Sequence, residues 1–288
     1  MTAVGPAGAA DPAGAVGPRR ADALRRFSFN QATAQHWPLP EVVAGCVEAG
    51  VPGIGLWREP VAAHGLARAA GLVRDAGLAV TSLCRGGFFT ADDWRDDNLR
   101  AVEEAAALGA PVLVLVSGGL PPGSRDVDDA RRRVADAIAE LAPHAAAAGV
   151  TLAIEPLHPM FCADRCVVST LGQALDIAER FDPGVVGVVV DAYHVWWDDT
   201  VYAQIARAGA RIAAFQVCDW VTPLPEGVLL GRALPGDGCI ELRRLREAVD
   251  AAGYTGPVEV EVFSAEVWAR PGREVLDASL AGYLRHVA

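Results

Sequence analysis

Four residues, each closing or lying within an apolar run, carry the strongest chemical signal in the chain. They are Glu155 after Leu152-Ala-Ile, Asp191 after Val188-Val-Val, Gln216 after Ala214-Phe, and Glu261 in Val258-Glu-Val-Glu. Carboxylates gathered at one point repel one another, and even two force a strongly raised pKa unless a cation lies among them. A divalent ion resolves that conflict. Oxygen ligation, with Gln216 supplying a neutral amide oxygen, suits a hard to borderline cation, so Mn²⁺ or Mg²⁺ leads and Co²⁺ or Zn²⁺ follows. His158 and His194 each follow one of these acids by three residues. They are candidates for acid catalysis or for hydrogen bonding to a substrate, and equally for orienting a carboxylate. Arg232 suits a clamp on a substrate oxygen, or a pairing with Asp219 or Asp237.

Plainer roles exist for three of the four. Glu155 can cap the segment that follows, Asp191 can accept backbone amides, and Gln216 can satisfy a loop. Their recurrence at four consecutive strand ends favours a joint role. Trp37, Trp57, Phe88, Trp196, Trp197 and Trp220 also follow apolar runs. Such rings line pockets that stack on a sugar, although any one of them equally packs loops together or joins subunits, so a homo-oligomer is compatible with the pattern.

The elements that would position these residues follow one punctuation: an Ala-rich amphipathic stretch, a glycine, then an apolar run. It recurs at Gly50, Gly77, Gly109, Gly149, Gly209 and Gly253, with Asp182-Pro183-Gly184 as a variant. Glycine just past a helix end takes the left-handed conformation of a C-cap, so each marks a helix stopping before a strand. The spacing predicts strands over 27–30, 53–57, 79–83, 112–116, 151–154, 185–190, 212–217 and 258–262. Helices are predicted over 39–49, 60–76, 92–108, 125–148, 169–181, 199–208, 239–252 and 272–287. Strict alternation of this kind predicts a (β/α)8 TIM barrel as a single domain over 21–288, with an open doubly wound sheet as the alternative. No Gly-x-Gly-x-x-Gly follows the first strand, which weakens a dinucleotide fold. In a barrel, strand ends distant in sequence share one rim, so the four polar residues can face a common centre.

Composition narrows the chemistry. The 288 residues are about half apolar, enough for a large core, and the formal charge of −11 disfavours nucleic acid and anionic membranes as partners. A small neutral or metal-chelated substrate is easier to reconcile with that charge. The chain has no lysine, which removes Schiff-base and pyridoxal chemistry as well as the P-loop. Six scattered cysteines, no secretory segment and no membrane-spanning run read as a cytoplasmic protein with reduced thiols. Cys162 and Cys166 resemble half a zinc site without a second half, and read as ordinary thiols. Residues 1–20, rich in Ala, Gly and Pro, are expected to form a disordered tail.

The segments Ile154-Glu-Pro-Leu-His158, Asp191-Ala-Tyr-His194, Phe215-Gln-Val-Cys-Asp219, Gly231-Arg232 with Pro235-Gly-Asp-Gly238, and Glu259-Val-Glu261 together resemble the xylose isomerase-like barrels. That superfamily includes sugar isomerases, ketose 3-epimerases, inosose dehydratases, 3-dehydroshikimate dehydratases and the endonuclease IV branch. The resemblance implies that Glu155, Asp191, Gln216 and Glu261 bind one divalent metal and that His194 and Arg232 contact substrate oxygens. The third ligand is most often His in that family, and Gln216 tilts the reading toward its dehydratase-like members. The expected chemistry is proton abstraction beside a chelated carbonyl, through an enediolate, with Glu155 and Glu261 as the matching acid–base pair. A sugar or keto-polyol isomerase or epimerase is the leading expectation. A lyase of the inosose or 3-dehydroshikimate type, or one eliminating from a 3-keto glycoside, is the second. A noncatalytic polyol-binding or partner subunit is the third. The DNA-repair branch ranks last, for want of histidines and a basic face.

Overall fold

In the computed structural model, which describes residues 22–288, the glycine-bounded apolar runs are strands. The expected tail lies outside the described residues. The barrel strands are β1 (Phe27–Asn30), β2 (Gly53–Trp57), β3 (Ala79–Gly87), β4 (Val112–Val116), β5 (Thr151–Glu155), β6 (Val186–Asp191), β7 (Ile212–Val217) and β8 (Val258–Val260). Every residue of β4 and of β6 is buried, the signature of strands covered on both faces. Neighbours pair in chain order and in parallel, and β8 returns to pair with β1, so the sheet is a closed barrel rather than an open one. Helices Trp94–Leu108 and Val127–Ala148 end on Gly109 and Gly149, at φ 70° and 69°, whose amides bond back to the last turn.

Most helix ends shift by one to three residues, and three further features depart from expectation. The helix expected over 60–76 is two, Arg58–His64 and Leu66–Asp75, because Gly65 takes φ 95° between them. β3 runs on to Gly87 through a register shift against β4. β8 stops at Val260, although the Glu261 amide still donates to the Val217 carbonyl at 3.2 Å.

Leu, Val and Ala side chains fill the shell between strands and helices, while Cys84, Val114, Ala153, Val189 and Ala214 form a separate apolar plug inside the barrel. Register then decides what sits above the plug. Asp191 pairs with Gln216, and Gln216 with Glu259, so three polar residues stand abreast on β6, β7 and β8. The long connection after β7 is not a bare loop. Asp219–Trp220 and Arg232–Ala233 pair as a short antiparallel hairpin that returns Arg232 to the rim.

Candidate active site

Glu155, Asp191, Gln216 and Glu261 are all buried at the C-terminal rim, together with His194 and Arg232. Ligand atoms of Glu155, Asp191 and His194 lie within 4.8 Å of one another. The Arg232 guanidinium stands among the acids, with Nη1 3.4 Å from Asp191 Oδ2 and 3.5 Å from Glu261 Oε2. Tyr193 and Phe263 cover it, their ring centroids 4.5 and 4.9 Å from its central carbon. Arg232 therefore pairs with neither Asp219 nor Asp237. Asp219 instead accepts the amides of Trp220, Gly236 and Ile240, which folds the 235–238 turn around it.

One guanidinium does not neutralise three carboxylates; two negative charges remain when all are ionised. Burial first, then the charges of Asp191 and Glu261, raises Glu155 well above the usual carboxylate range. Burial also raises Asp191 against the pull of Arg232. Glu261 is pushed up to about 8 by burial, opposed by Arg232 and reinforced by Asp191 and Glu259.

These raised values have a consequence for stability. Without a cation the folded protein holds protons on these acids that the unfolded chain, with its ordinary carboxyl value of 4.5, releases. Stability of the cation-free protein is thus expected to fall as pH rises from 4.5 through about 8, the value reached by Glu261. A tenfold difference in proton affinity between the folded and unfolded chain corresponds to about 1.4 kcal/mol. Thermal melting across that range, in chelator and then in Mn²⁺, checks it: a melting temperature that does not fall in chelator would show that the acids are already neutralised.

Glu259 fixes the direction of Gln216. Its carboxylate accepts from Asn30 Nδ2 at 2.7 Å, Thr81 Oγ1 at 2.8 Å, Ser82 Oγ at 2.9 Å and Gln216 Nε2 at 3.0 Å. A carboxylate only accepts, so Gln216 must turn its amino group to Glu259 and its oxygen away. That Oε1 is buried and has no partner among the described residues. An orphaned buried oxygen beside under-neutralised carboxylates fits a hard divalent cation. Glu155, Asp191, Gln216 and Glu261 are the residues that would hold it. Gly55 clears the space, since a Cβ there would fall 2.6 Å from the Glu259 carboxylate. Sequence reasoning gave Glu259 no role, although its spacing of two from Glu261 sets both on one strand face.

His194 has donors on both of its ring nitrogens. The His158 amide donates to Nδ1 at 3.1 Å, and Arg232 Nη2, which can only donate, lies 3.1 Å from Nε2. Burial, then the Arg232 charge, holds its pKa well below the usual histidine value. Nε2 lies 3.7 Å from Asp191 Oδ2, which sets the uncharged ring between Arg232 and the acid cluster.

The aromatic candidates divide. His158 lies between Trp197 and Trp220, at 5.3 and 5.2 Å between centroids, and Trp220 continues onto Tyr193 and Trp196. Trp57 donates to Asn30 Oδ1 at 3.0 Å and meets Phe263 edge-on, so it joins the same wall. Trp37 is not brought to the site. It lies against Gly45 and Gly272 and donates to Glu41, sealing two outer helices. A cleft of about 880 Å³ opens beside the acids, with Phe161, Val228, Arg232, Leu234 and Ser264 in its wall. Arg232 is the residue common to cleft and acid cluster. Cys166 is buried against Ser117, and none of the six cysteines forms a disulfide.

Residues 43–283 match the model of the xylose isomerase-like TIM barrel family. The chain belongs to that family. A crystal structure of a Sinorhizobium meliloti 1021 protein superimposes on this xylose isomerase-like barrel with a TM-score of 0.89 and 50% identity, over 92% of this chain and 99% of that one. The inosose isomerase of Halalkalibacterium halodurans is 28% identical over 179 residues, covering 61% of each chain. The 3-dehydroshikimate dehydratase of Pseudomonas aeruginosa is 30% identical over 151 residues, 49% of this chain and 22% of the larger enzyme. The chain thus spans under two thirds of the curated relatives it matches. No helix among the described residues is long and apolar enough to cross a membrane.

Proposed function

We propose that this chain is a divalent-cation-dependent enzyme that removes a proton beside the carbonyl of a sugar or cyclic keto-polyol, as an isomerase or epimerase. The observation that carries the reading is the unpartnered Gln216 Oε1 among three under-neutralised buried acids. A bound cation supplies Lewis-acid polarisation of the substrate carbonyl. The chain's own residues do the rest. Glu261, ionised, accepts the proton from the carbon next to the carbonyl, and Glu155, after taking up a proton from water, returns one from the other side. Arg232 and His194 contact substrate oxygens, and His158, Trp57 and Trp220 wall the ring face. Trp37 has no part in it.

A second reading, elimination, has its own support. Loss of a β-hydroxyl needs an acid beside the leaving oxygen, and the His194 ring, with Nε2 3.7 Å from Asp191 Oδ2, stands where that group is needed. The relationship to a 3-dehydroshikimate dehydratase points the same way.

Both readings share the first step, so one experiment tests them together. Ketoses, inososes and 3-dehydroshikimate are incubated with the protein and Mn²⁺ in D2O and followed by mass spectrometry. Deuterium gain without loss of water is the expected result; deuterium gain with dehydration selects the lyase. No exchange on any ketone, with cation bound, leaves a noncatalytic binding barrel and overturns the proposal.

A further inference from the structure

Two arginines at the rim have no counter-charge in contact. Arg85 and Arg165 both bury Nε without a partner, and neither guanidinium forms a hydrogen bond or ion pair among the described residues. Arg232, the third arginine with an orphaned Nε, is engaged through its other nitrogens. A half-buried guanidinium ordinarily finds an acid, above all in a chain of net charge −11. These two instead lie on one wall of the rim, built from the exits of β3 and β4 and the turn after β5. The Phe88 amide donates to the Val116 carbonyl at 2.7 Å, Leu120 to Ala163 at 2.9 Å, and Val167 to Gly118 at 2.9 Å, which ties the three segments together.

The wall adjoins the acid cluster at both of its ends. Arg85 follows Cys84, whose Sγ is 3.8 Å from Glu261 Oε1, and its guanidinium lies over the Phe88 ring at 4.1 Å. Arg165 is in the turn that carries Phe161, whose ring meets His194 edge-on at 6.0 Å. Burial lowers the pKa of Arg85, Glu59 opposes it without touching the guanidinium, and the Arg165 charge lowers it further; Arg165 also depresses His194, so the two cations feel each other and the site. Like charges left half-buried together are stabilised by an anion from outside.

We infer that Arg85 and Arg165 form an anion subsite beside the acid cluster, and that the substrate is a hydroxyketone bearing a carboxylate rather than an uncharged polyol. The inference deepens the proposed function and rests on it for the ketone. It also revises the expectation of a neutral substrate drawn from the net charge, because the overall field is negative while this wall is not. The carboxylate would sit on the guanidinium pair while the ketone end reaches Arg232 and the acids.

The test uses the whole chain in Mn²⁺ buffer, titrated calorimetrically with quinate and with methyl quinate, which differ in the carboxylate charge and one methyl group. Quinate is expected to bind about tenfold or more tightly than its ester, as charge-assisted bonds to arginine confer. Arg85→Gln and Arg165→Gln are each expected to cut that preference about tenfold and the double variant to remove it, while Arg180→Gln, an exposed control, keeps it. Equal affinity for acid and ester in the parent, which needs no variant, overturns the subsite, as does a preference that survives in a folded double variant. Deuterium exchange separates the two ideas. Exchange on neutral ketones without acid preference removes only the subsite, whereas acid preference without exchange on any ketone keeps the subsite and removes the proposed reaction.

Discussion

Asp191→Ala is expected to abolish divalent-cation binding while leaving the barrel folded. Asp191 ends β6, faces Arg232 and His194, and stands in register with Gln216, so its removal takes one oxygen donor from the centre of the set. The loss in Mn²⁺ affinity should exceed the roughly 10–100-fold that losing a partner outside the ligand set brings. The structural cost is smaller. Asp191 Oδ1 also accepts the Tyr193 amide at 2.8 Å, and such a cap is worth about 1 kcal/mol. Arg232 keeps Glu261 as a partner, and β6 keeps the branched residues that bury it. Circular dichroism and thermal melting should therefore show a cooperative barrel, slightly destabilised, that calorimetry finds unable to take up Mn²⁺. Cation binding retained at the parental level would reduce Asp191 to the cap of the segment after it.

Glu261→Gln is expected to separate binding from chemistry. The substitution keeps the side-chain shape and one oxygen, as Gln216 does across the site, so cation affinity should drop less than in Asp191→Ala. The proton acceptor is gone, and loss of a positioned base costs about 10²–10⁴-fold in the proton-transfer step. Deuterium exchange should fall by that factor with cation still bound. The variant also has a signature in the cation-free protein. Glu261 is the acid whose value is pushed to about 8, so the fall in stability between pH 4.5 and 8 should shrink when it is neutral at every pH. An unchanged exchange rate would move the base to Glu155; an unchanged pH profile would show that Glu261 does not carry the titration.

The barrel was legible because its signals are local. Glycine after each helix and branched runs between them are set by backbone and burial, and the closed order of β1 to β8 follows from eight such units. Glu155, Asp191 and Gln216 were legible for a related reason: a polar residue closing or lying within a buried strand has to be compensated. Three things were not. The position of Arg232 depends on a hairpin of two-residue strands, too short to leave a periodic pattern. Trp37 comes after β1 and Trp57 ends β2, yet the 3-10 turn Gln31–Ala34 separates Trp37 from its strand, and glycines 45 and 272 leave the ring a slot between helices. The socket of Glu259 draws on Asn30, Thr81, Ser82 and Gln216 from three other strands, and only closure of the sheet brings them together. Arg85 and Arg165 belong with these, since an unpaired arginine is visible only when every neighbouring acid has been placed.

The central claim is that three buried acids and one amide oxygen are arranged for a divalent cation. Calorimetric titration of the cation-free protein with Mn²⁺ at pH 7, repeated in buffers of different ionisation enthalpy, tests it most directly. The account predicts one ion bound per chain, with protons released as Glu155, Asp191 and Glu261 give up those that burial made them hold. A titration without binding, or binding with no proton released, would contradict it.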